Sequence, residues 1–344
     1  MYNFKQSELE SLAIHFIGNK ADEQGVNISK KLISTDDDIT NLLKKYFLKP
    51  FKEQGLFRFH HETDLNLNEV YHYAKAIFND PESLYLQSIN IAKHLYEASS
   101  HPMIKPGELY VTYFSECIVD GEPTTAIGIF KSENKETYLK VFPSNNEYNI
   151  EKEEGININK LDKGCLIFDI KSEDGYKVAV VDNTNKGNEA VYWNQDFLNV
   201  QPLEDSYHHT KNYISMCKDF VGSAFNDADR VDQIDLVNNA VKFFDENEKF
   251  EINEFEEKVM QEPELIDSFQ GYKADYQTTN DIRAVDEFEI SPSAVKNSKK
   301  FINSVIKLDK NFHVYVHGNR HHIEKGYDEE RDMNYYMLYF KEEM

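Results

Sequence analysis

The N-terminal segment alternates between short apolar stretches and polar turns, which predicts two strands and a helix. Leu12–Gly18 has the length and apolarity of a strand, and Ile28–Ile33 can pair with it across a polar turn that contains Gly25. Three aspartates at 36–38 then precede apolar residues at helical spacing, basic residues follow them, and Pro50 comes next. This order of charges complements a helix dipole, and the proline ends the predicted helix.

Two more helices are followed by a change to the period of a β-sheet. Asn68–Phe78 and Pro81–Ser99 carry apolar residues at helical spacing, and Pro81 lies near the start of its helix. From Glu108 onward, apolar residues alternate with polar ones or form short runs between turns. We predict one antiparallel sheet, with strands at 109–119, Thr124–Lys131, Thr137–Phe142, Gly164–Ile170 and Tyr176–Asp182.

The second half of the chain has helical spacing over about 206–270 and strand patterns after it. Asn303–Leu308 and Phe312–His317 are predicted to form a hairpin, and Asn334–Phe340 is predicted to be a last strand. The predicted fold class is α+β. An antiparallel sheet with segregated helices forms an N-terminal domain over residues 1–205. An acidic helical block and a small, basic, β-hairpin-rich C-terminal region form a second domain over residues 206–344.

Composition places limits on function. The chain has 344 residues, 40% of them hydrophobic, and a formal net charge of −23, so it cannot bind nucleic acid over its whole surface. Any DNA contact has to come from a local basic patch, a dimer groove or a partner. The chain has three cysteines, far apart in sequence: Cys117, Cys165 and Cys217. Their odd number and spacing favour small buried side chains over disulfides, which fits a reducing cytoplasm. Without an apolar run of about 18 residues, we expect no membrane span.

Charge is unevenly distributed in the second domain. Residues 204–290 contain 8 Lys and Arg against 22 Asp and Glu, a net charge of −14. Residues 291–326 contain 7 Lys and Arg against 2 acidic residues, a net charge of +5. Because this basic segment stands out on an acidic chain, we predict that it contacts DNA phosphates. The predicted contact residues are Lys296, Lys299, Lys300, Lys307, Lys310 and Arg320.

A second basic segment offers a weaker case for DNA contact. Its cations Lys44, Lys45, Lys49, Lys52 and Arg58 alternate with five aromatic residues between 46 and 59. Aromatic side chains can stack on exposed bases, but these fall at helical spacing. We therefore expect the aromatic residues to be core.

Signatures of catalysis are missing from the sequence. It has no GxxxxGK[ST], GxGxxG or GxSxG motif, and no cofactor is expected. His313 and His317, four residues apart on a strand, would lie roughly 13 Å apart, too far to share one zinc ion. The acidic clusters at 227–235 and 254–257 are typical of solvated helix faces.

Several phrases of the sequence resemble a known family. They are LAIHFIGNK at 12–20, DDDITNLLKKYFLKPF at 36–51, TTAIGIFKSENKETYLKVF at 124–142, the 164–182 hairpin and the ending from Ser304. In this order they resemble the bacterial nucleoid-associated protein family, in the form found in Bacteroidetes-like genomes. The resemblance covers nearly the whole chain.

The resemblance implies a role at the bacterial chromosome. It implies DNA binding with little sequence preference, a link to topoisomerases, a cytoplasmic location at the nucleoid and no catalysis. Two alternatives stay open beside this interpretation. One is an acidic adaptor that docks a DNA-bound partner such as a topoisomerase. The other is a metal-dependent nuclease in phage defence. A homodimer is also left open.

Overall fold

The computed structural model separates into two compact units, Met1–Leu203 and Glu204–Met344. It describes residues 2–52, 55–144, 147–184, 192–223, 230–280, 282–299, 305–308, 310, 312–315 and 322–342. Each unit has its own apolar core, and both contain helices and antiparallel strands. The predicted α+β class is therefore confirmed. Among the helices in these ranges, none combines the length and apolarity needed to cross a bilayer.

The first unit is built on one antiparallel sheet. Its strand order is β11-β4-β10-β9-β6-β5-β2-β3, with β1 added to the end of β5. The strands are β1 (Tyr2–Asn3), β2 (Glu8–Ile17), β3 (Val26–Ile28), β4 (Phe57–Phe59), β5 (Gly107–Val119), β6 (Glu122–Ser132), β9 (Lys163–Phe168), β10 (Lys177–Asp182) and β11 (Val200–Pro202). The predicted hairpin around Glu173–Gly175 is confirmed as β9 and β10.

Helices cover both faces of this sheet. On one face, helix α1 (Asp37–Leu48) places Phe47 4.3 Å from the ring of Phe130 on β6. On the other face, α2 (Glu69–Asn79) and α3 (Leu84–Ala98) pack on the odd-numbered residues of β6 and β9. With both faces covered, the middle residues of the central strands are apolar, which is why β9 and β10 were recognisable in the sequence as short apolar runs.

Two helix starts in the first unit are fixed by side-chain caps. The Asp36 carboxylate accepts a hydrogen bond from the Ile39 N–H, and the Asn68 carbonyl accepts one from the Tyr71 N–H, both at 2.9 Å. Such caps contribute about 1 kcal/mol each. The three predicted helices of this unit are confirmed. Apolar residues at helical spacing marked all three of them.

One predicted strand does not belong to the sheet. The sequence suggested that Thr137–Phe142 continues it, but β7 (Glu136–Ser144) pairs only with β8 (Glu147–Gly155) in the described chain. These two strands form a separate hairpin, here called the arm, and none of its described residues is buried. The sequence did not suggest β8, because five of its nine residues are charged.

Helices with an aromatic core make up most of the second unit. They are α4 (Ser206–Ser223), α5 (Arg230–Glu246), α6 (Ile252–Phe255), which continues as a π-turn over Glu256–Met260, α7 (Pro263–Asn280) and α8 (Pro292–Lys299). Phe250 lies at the centre of their core, stacked on Phe244 and on Phe288. A short pair, β12 (Lys249–Glu251) and β13 (Glu287–Glu289), holds Phe250 and Phe288 side by side.

Two small hairpins follow the helices. β14 (Val305–Leu308) pairs with β15 (Phe312–Tyr315) as predicted, although the predicted ends at 303–304 and 316–317 lie outside the described residues. The predicted last strand is β17 (Met333–Leu338), and its partner β16 (Ile323–Asp328) was not anticipated. Ile306 of β14 is buried against Ile234 of α5, which ties the hairpins to the helices.

The three cysteines give a direct test of this fold. All three are buried and unpaired, and burial raises the pKa of the Cys117 thiol to about 12 and raises the thiol pKa values of Cys165 and Cys217. A protonated, inaccessible thiol does not attack a disulfide reagent. We expect no reaction of the native protein with Ellman's reagent at neutral pH, and three reactive thiols in guanidinium. Fast reaction of the native protein would contradict the two cores.

Candidate nucleic-acid interface and a buried charge network

The predicted DNA-contact residues are only partly within the described chain. Lys296 and Lys299 occupy the last turn of α8, and Lys310 is exposed at the turn between β14 and β15. Lys300 and Arg320 lie outside the described residues, as does the side chain of Lys307. Lysines in a last helical turn interact favourably with the negative end of the helix dipole.

Lys299 forms an ion pair at the surface. Its Nζ lies 2.7 Å from Oδ1 of Asp245, at the C-terminal end of α5, and both side chains are about half exposed. An exposed pair of this kind contributes at most about 1 kcal/mol to stability. A phosphate can therefore replace the carboxylate as the partner of Lys299 at little cost.

Helix α5 is the element that relates α8 to the β14–β15 hairpin. Asp245 near its end contacts Lys299, and Ile234 near its start contacts Ile306 of β14. These two positions on α5 are about 16 Å apart at roughly 1.5 Å per residue. That span matches about five phosphates along one strand of duplex DNA.

Most aromatic residues of the N-terminal basic segment belong to the core of the first unit. Tyr46, Phe47, Phe51 and Phe59 are buried, as expected from their spacing. Lys44 pairs with Glu8 at 3.2 Å and is mostly covered. No stacking platform for bases is therefore formed by these four rings.

The acidic clusters do not share one arrangement. Glu254 pairs with Lys258 at 2.5 Å on the surface, whereas Glu256 is buried and accepts a hydrogen bond from the Gln270 amide at 2.9 Å. The expectation of a solvated face is thus wrong for Glu256, because residues two apart on a helix lie on nearly opposite faces and Glu256 faces the core. Asp227 and Asp229 lie outside the described residues. Within the described ranges, no three His, Cys, Asp or Glu side chains are placed to hold a metal ion.

A buried charge network, which the sequence analysis does not predict, lies in the first unit. Lys131 at the end of β6 lies directly opposite Lys163 at the start of β9, and both are about 1% exposed or less. Like charges opposite each other on buried strands are destabilising unless anions lie between them. Glu133 provides one anion, with Oε1 3.0 Å from the Lys131 ammonium and Oε2 3.8 Å from that of Lys163. Asp182 on β10 provides the other, with both oxygens within 3.0 Å of Lys163.

Neutral groups complete the network. The Tyr192 hydroxyl donates to Glu133 at 2.9 Å, and burial raises its pKa, so it stays protonated. The Lys131 ammonium donates to the Lys105 carbonyl oxygen at 2.7 Å. Burial lowers the pKa of Lys131, and the nearby Glu133 carboxylate opposes this effect. Lys131 with Glu133 and Lys163 with Asp182 therefore form two ion pairs inside the protein.

The same network fixes the base of the arm. Asp162, just before β9, accepts hydrogen bonds from the Glu133 and Asn134 N–H groups at 2.6 and 2.9 Å, just before β7. Glu136, the first residue of β7, pairs with Lys160 at 2.6 Å. A cavity of about 1060 Å³ opens beside these residues, lined by Lys105, Lys160 and Lys163 among others. In the sequence, the only signal was a lysine at the end of each of two apolar strands.

The sequence of the chain matches a known protein family. A model of the family described as nucleoid-associated protein YejK matches residues 13–333. The chain belongs to this family. The match begins in β2 and ends at the first residue of β17, so family membership extends through both units. A search of curated proteins gave no match. The protein is thus a member of a nucleoid-associated family, as the resemblance implied.

The buried network yields a stability prediction. We expect Glu133→Gln to lower the free energy of unfolding by about 3–5 kcal/mol, because it removes the carboxylate that pairs with the buried Lys131 ammonium. The matched control is Glu153→Gln, which removes a surface partner of Lys140 and should cost at most about 1 kcal/mol. Urea unfolding followed by circular dichroism measures both. Equal losses in the two variants would show that the network is not what stabilises this end of the sheet.

Proposed function

We propose that this protein binds duplex DNA directly, weakly and with little sequence preference, without catalysing a reaction. The proposed contact is the basic segment Ser291–Gly326. The observation that carries the proposal is membership of the nucleoid-associated family across both units, combined with a net charge of +5 in this one segment of a chain of −23. The described part of the segment supports it with four exposed lysines, Lys296, Lys299, Lys310 and Lys325.

Electrostatics determines how such binding behaves. The net charge of −23 repels DNA at long range, so attraction arises only where cations come within about a Debye length, roughly 8–10 Å, of phosphates. Each phosphate contact releases counterions and makes binding weaker in salt. Contacts to phosphates carry no direct sequence information, which accounts for the proposed lack of sequence preference.

The proposed absence of catalysis agrees with the chemistry of the described side chains. The thiols are buried and protonated, and the buried lysines donate to carboxylates and a carbonyl oxygen. If this is correct, incubation with plasmid and linear DNA in Mg²⁺ or Mn²⁺ leaves both intact on a gel. Cleavage that is lost in Asp232→Ala or Asp235→Ala would instead support the nuclease alternative.

An adaptor function is the second candidate, and one observation favours it. Residues 204–290 carry a net charge of −14. In addition, Lys299 already forms an ion pair with Asp245. A basic, DNA-bound partner such as a topoisomerase would complement such a surface, and complementary charge mainly raises association rates and specificity. In this case the protein reaches the nucleoid through the partner, and removal of the basic segment's cations leaves its localisation unchanged.

Salt-titrated DNA binding tests the proposed contact. If about four cations contact phosphates, a plot of the logarithm of the DNA association constant against the logarithm of salt concentration should have a slope of about −3.6. Simultaneous replacement of Lys299, Lys300 and Arg320 by Ala should flatten the slope by up to about 2.7, for random and defined sequences alike. Fluorescence anisotropy with labelled duplexes measures this.

A matched triple variant controls for net charge. Lys5, Lys30 and Lys31 are exposed lysines of the first unit, and their replacement by Ala removes the same charge from elsewhere. We expect the control to bind DNA with an unchanged slope. If both triple variants lose the same affinity, net charge and not the basic segment controls binding. If neither changes, DNA contact lies elsewhere or is made by a partner.

A further inference from the structure

The arm presents one face that is apolar and uncovered. In an antiparallel hairpin, alternate residues of each strand and their cross-strand partners share a face. Leu139, Val141, Tyr148 and Ile150 lie on one face by this register and are 68%, 58%, 78% and 66% exposed. Pro143 continues the same face. Soluble proteins seldom leave such contiguous apolar residues in water unless the surface binds something.

The opposite face is polar and internally paired. Glu153 accepts hydrogen bonds from the Tyr138 hydroxyl at 2.8 Å and from the Lys140 ammonium at 3.0 Å. The Lys140 ammonium also lies 6.0 Å from the ring centre of Phe142, which is half-buried as a result. With Glu136, Glu147 and Glu151 on this side as well, the second face is acidic. The two faces of the arm are therefore chemically different.

The edges of the arm are poor sites for adding another strand. Pro143 in β7 has no N–H to donate, and β8 carries charges at five of its nine positions. Proline and charge are the devices by which edge strands avoid pairing with other chains. Docking therefore involves the apolar face and not the hydrogen-bonding edges.

We propose that this apolar face packs against the same face of a second copy of the chain. The charges on this face are those of Lys152 and Glu154, whose side chains are 3.3 Å apart, so the face is neutral. Two chains of −23 each can approach closely only where their local charge vanishes. Face-to-face packing of two arms also leaves both acidic faces on the outside.

Other occupants fit this face less well. DNA needs cations, and the only lysine on the face is already paired with Glu154. A basic protein would be attracted to the acidic face, not to the neutral one. A second copy of the chain fits this face. Around a two-fold axis the same apolar residues lie on both sides of the contact, so the surface is complementary to itself.

The size of the contact sets its strength. Strands of nine residues extend about 30 Å, and with a width of about 10 Å they give a footprint of roughly 300 Å² per arm. Two arms together cover roughly 600 Å², well below the area of about 1,200–2,000 Å² that stable interfaces bury. The dimer is therefore weak, and we expect a dissociation constant in the micromolar range or above.

Sedimentation equilibrium of the full-length protein over a range of concentrations and salt tests the proposal. Because an apolar contact between two acidic chains is opposed by repulsion, added salt should strengthen the dimer several-fold between about 0.05 and 0.5 M. A dimer built on complementary charges would weaken instead and would overturn the proposal. A protein that stays monomeric up to several hundred micromolar would also overturn it.

Matched variants locate the contact without changing net charge. Leu139→Ser with Ile150→Ser alters the apolar face, and we expect the dimer to weaken at least about tenfold. Lys140→Ser with Glu151→Ser alters a cross-strand pair on the acidic face and should change the dissociation constant less than about twofold. Equal effects of the two variants would mean that the apolar face is not the contact.

Cross-linking avoids any concern that serine substitutions unfold the arm. The native thiols are buried, so Ile150→Cys and Asn149→Cys each introduce one accessible thiol, on opposite faces of the same strand. A short bis-maleimide should join two Ile150→Cys chains much more efficiently than two Asn149→Cys chains. Equal yields, or a higher yield for Asn149→Cys, would contradict the proposed face.

Discussion

The first unit depends on one constraint, the burial of the central strands of its antiparallel sheet between helices. Every side chain on β9 and on residues 126–132 of β6 must find its partners inside the protein, and most do so as apolar contacts. Lys131 and Lys163 cannot, and each unpaired ammonium would cost several kcal/mol. Glu133, Asp182 and Tyr192 therefore converge on them, and this requirement determines where the loops next to these strands must lie.

The arm is a consequence of the same arrangement. Glu133 leads into β7 and Asp162 leads into β9, so the segments that enter and follow the arm are both held by the network. A hairpin of two strands is marginally stable alone in water. Its anchored base, together with the Tyr138–Glu153–Lys140 contacts on its acidic face, supplies the order that a separate hairpin lacks.

Local patterns predicted the elements whose cause is local. Asp36, Asn68 and Pro81 identified helix starts, and the apolar runs of β9 and β10 identified buried strands. The separation of β7 from the sheet was not predictable, because alternation in Thr137–Phe142 is the same whether a strand pairs with a sheet or with one neighbour. Likewise, the pairing of Lys131 with Lys163 follows from register between β6 and β9, which no short segment encodes.

The predicted DNA-contact residues were chosen by charge alone, and charge in sequence does not reveal that Asp245 faces Lys299.

The chain's acidity relates the two proposed activities. Salt weakens phosphate contacts because counterions compete for them, whereas it strengthens an apolar contact between two chains of like charge. The proposed DNA binding and the proposed self-association should therefore respond to ionic strength in opposite directions. Pairing two chains gives one particle two basic segments, and a second segment binds at a high effective concentration once the first is bound. Under these two proposals, weak phosphate contacts would suffice to retain a protein with a net charge of −23 on DNA.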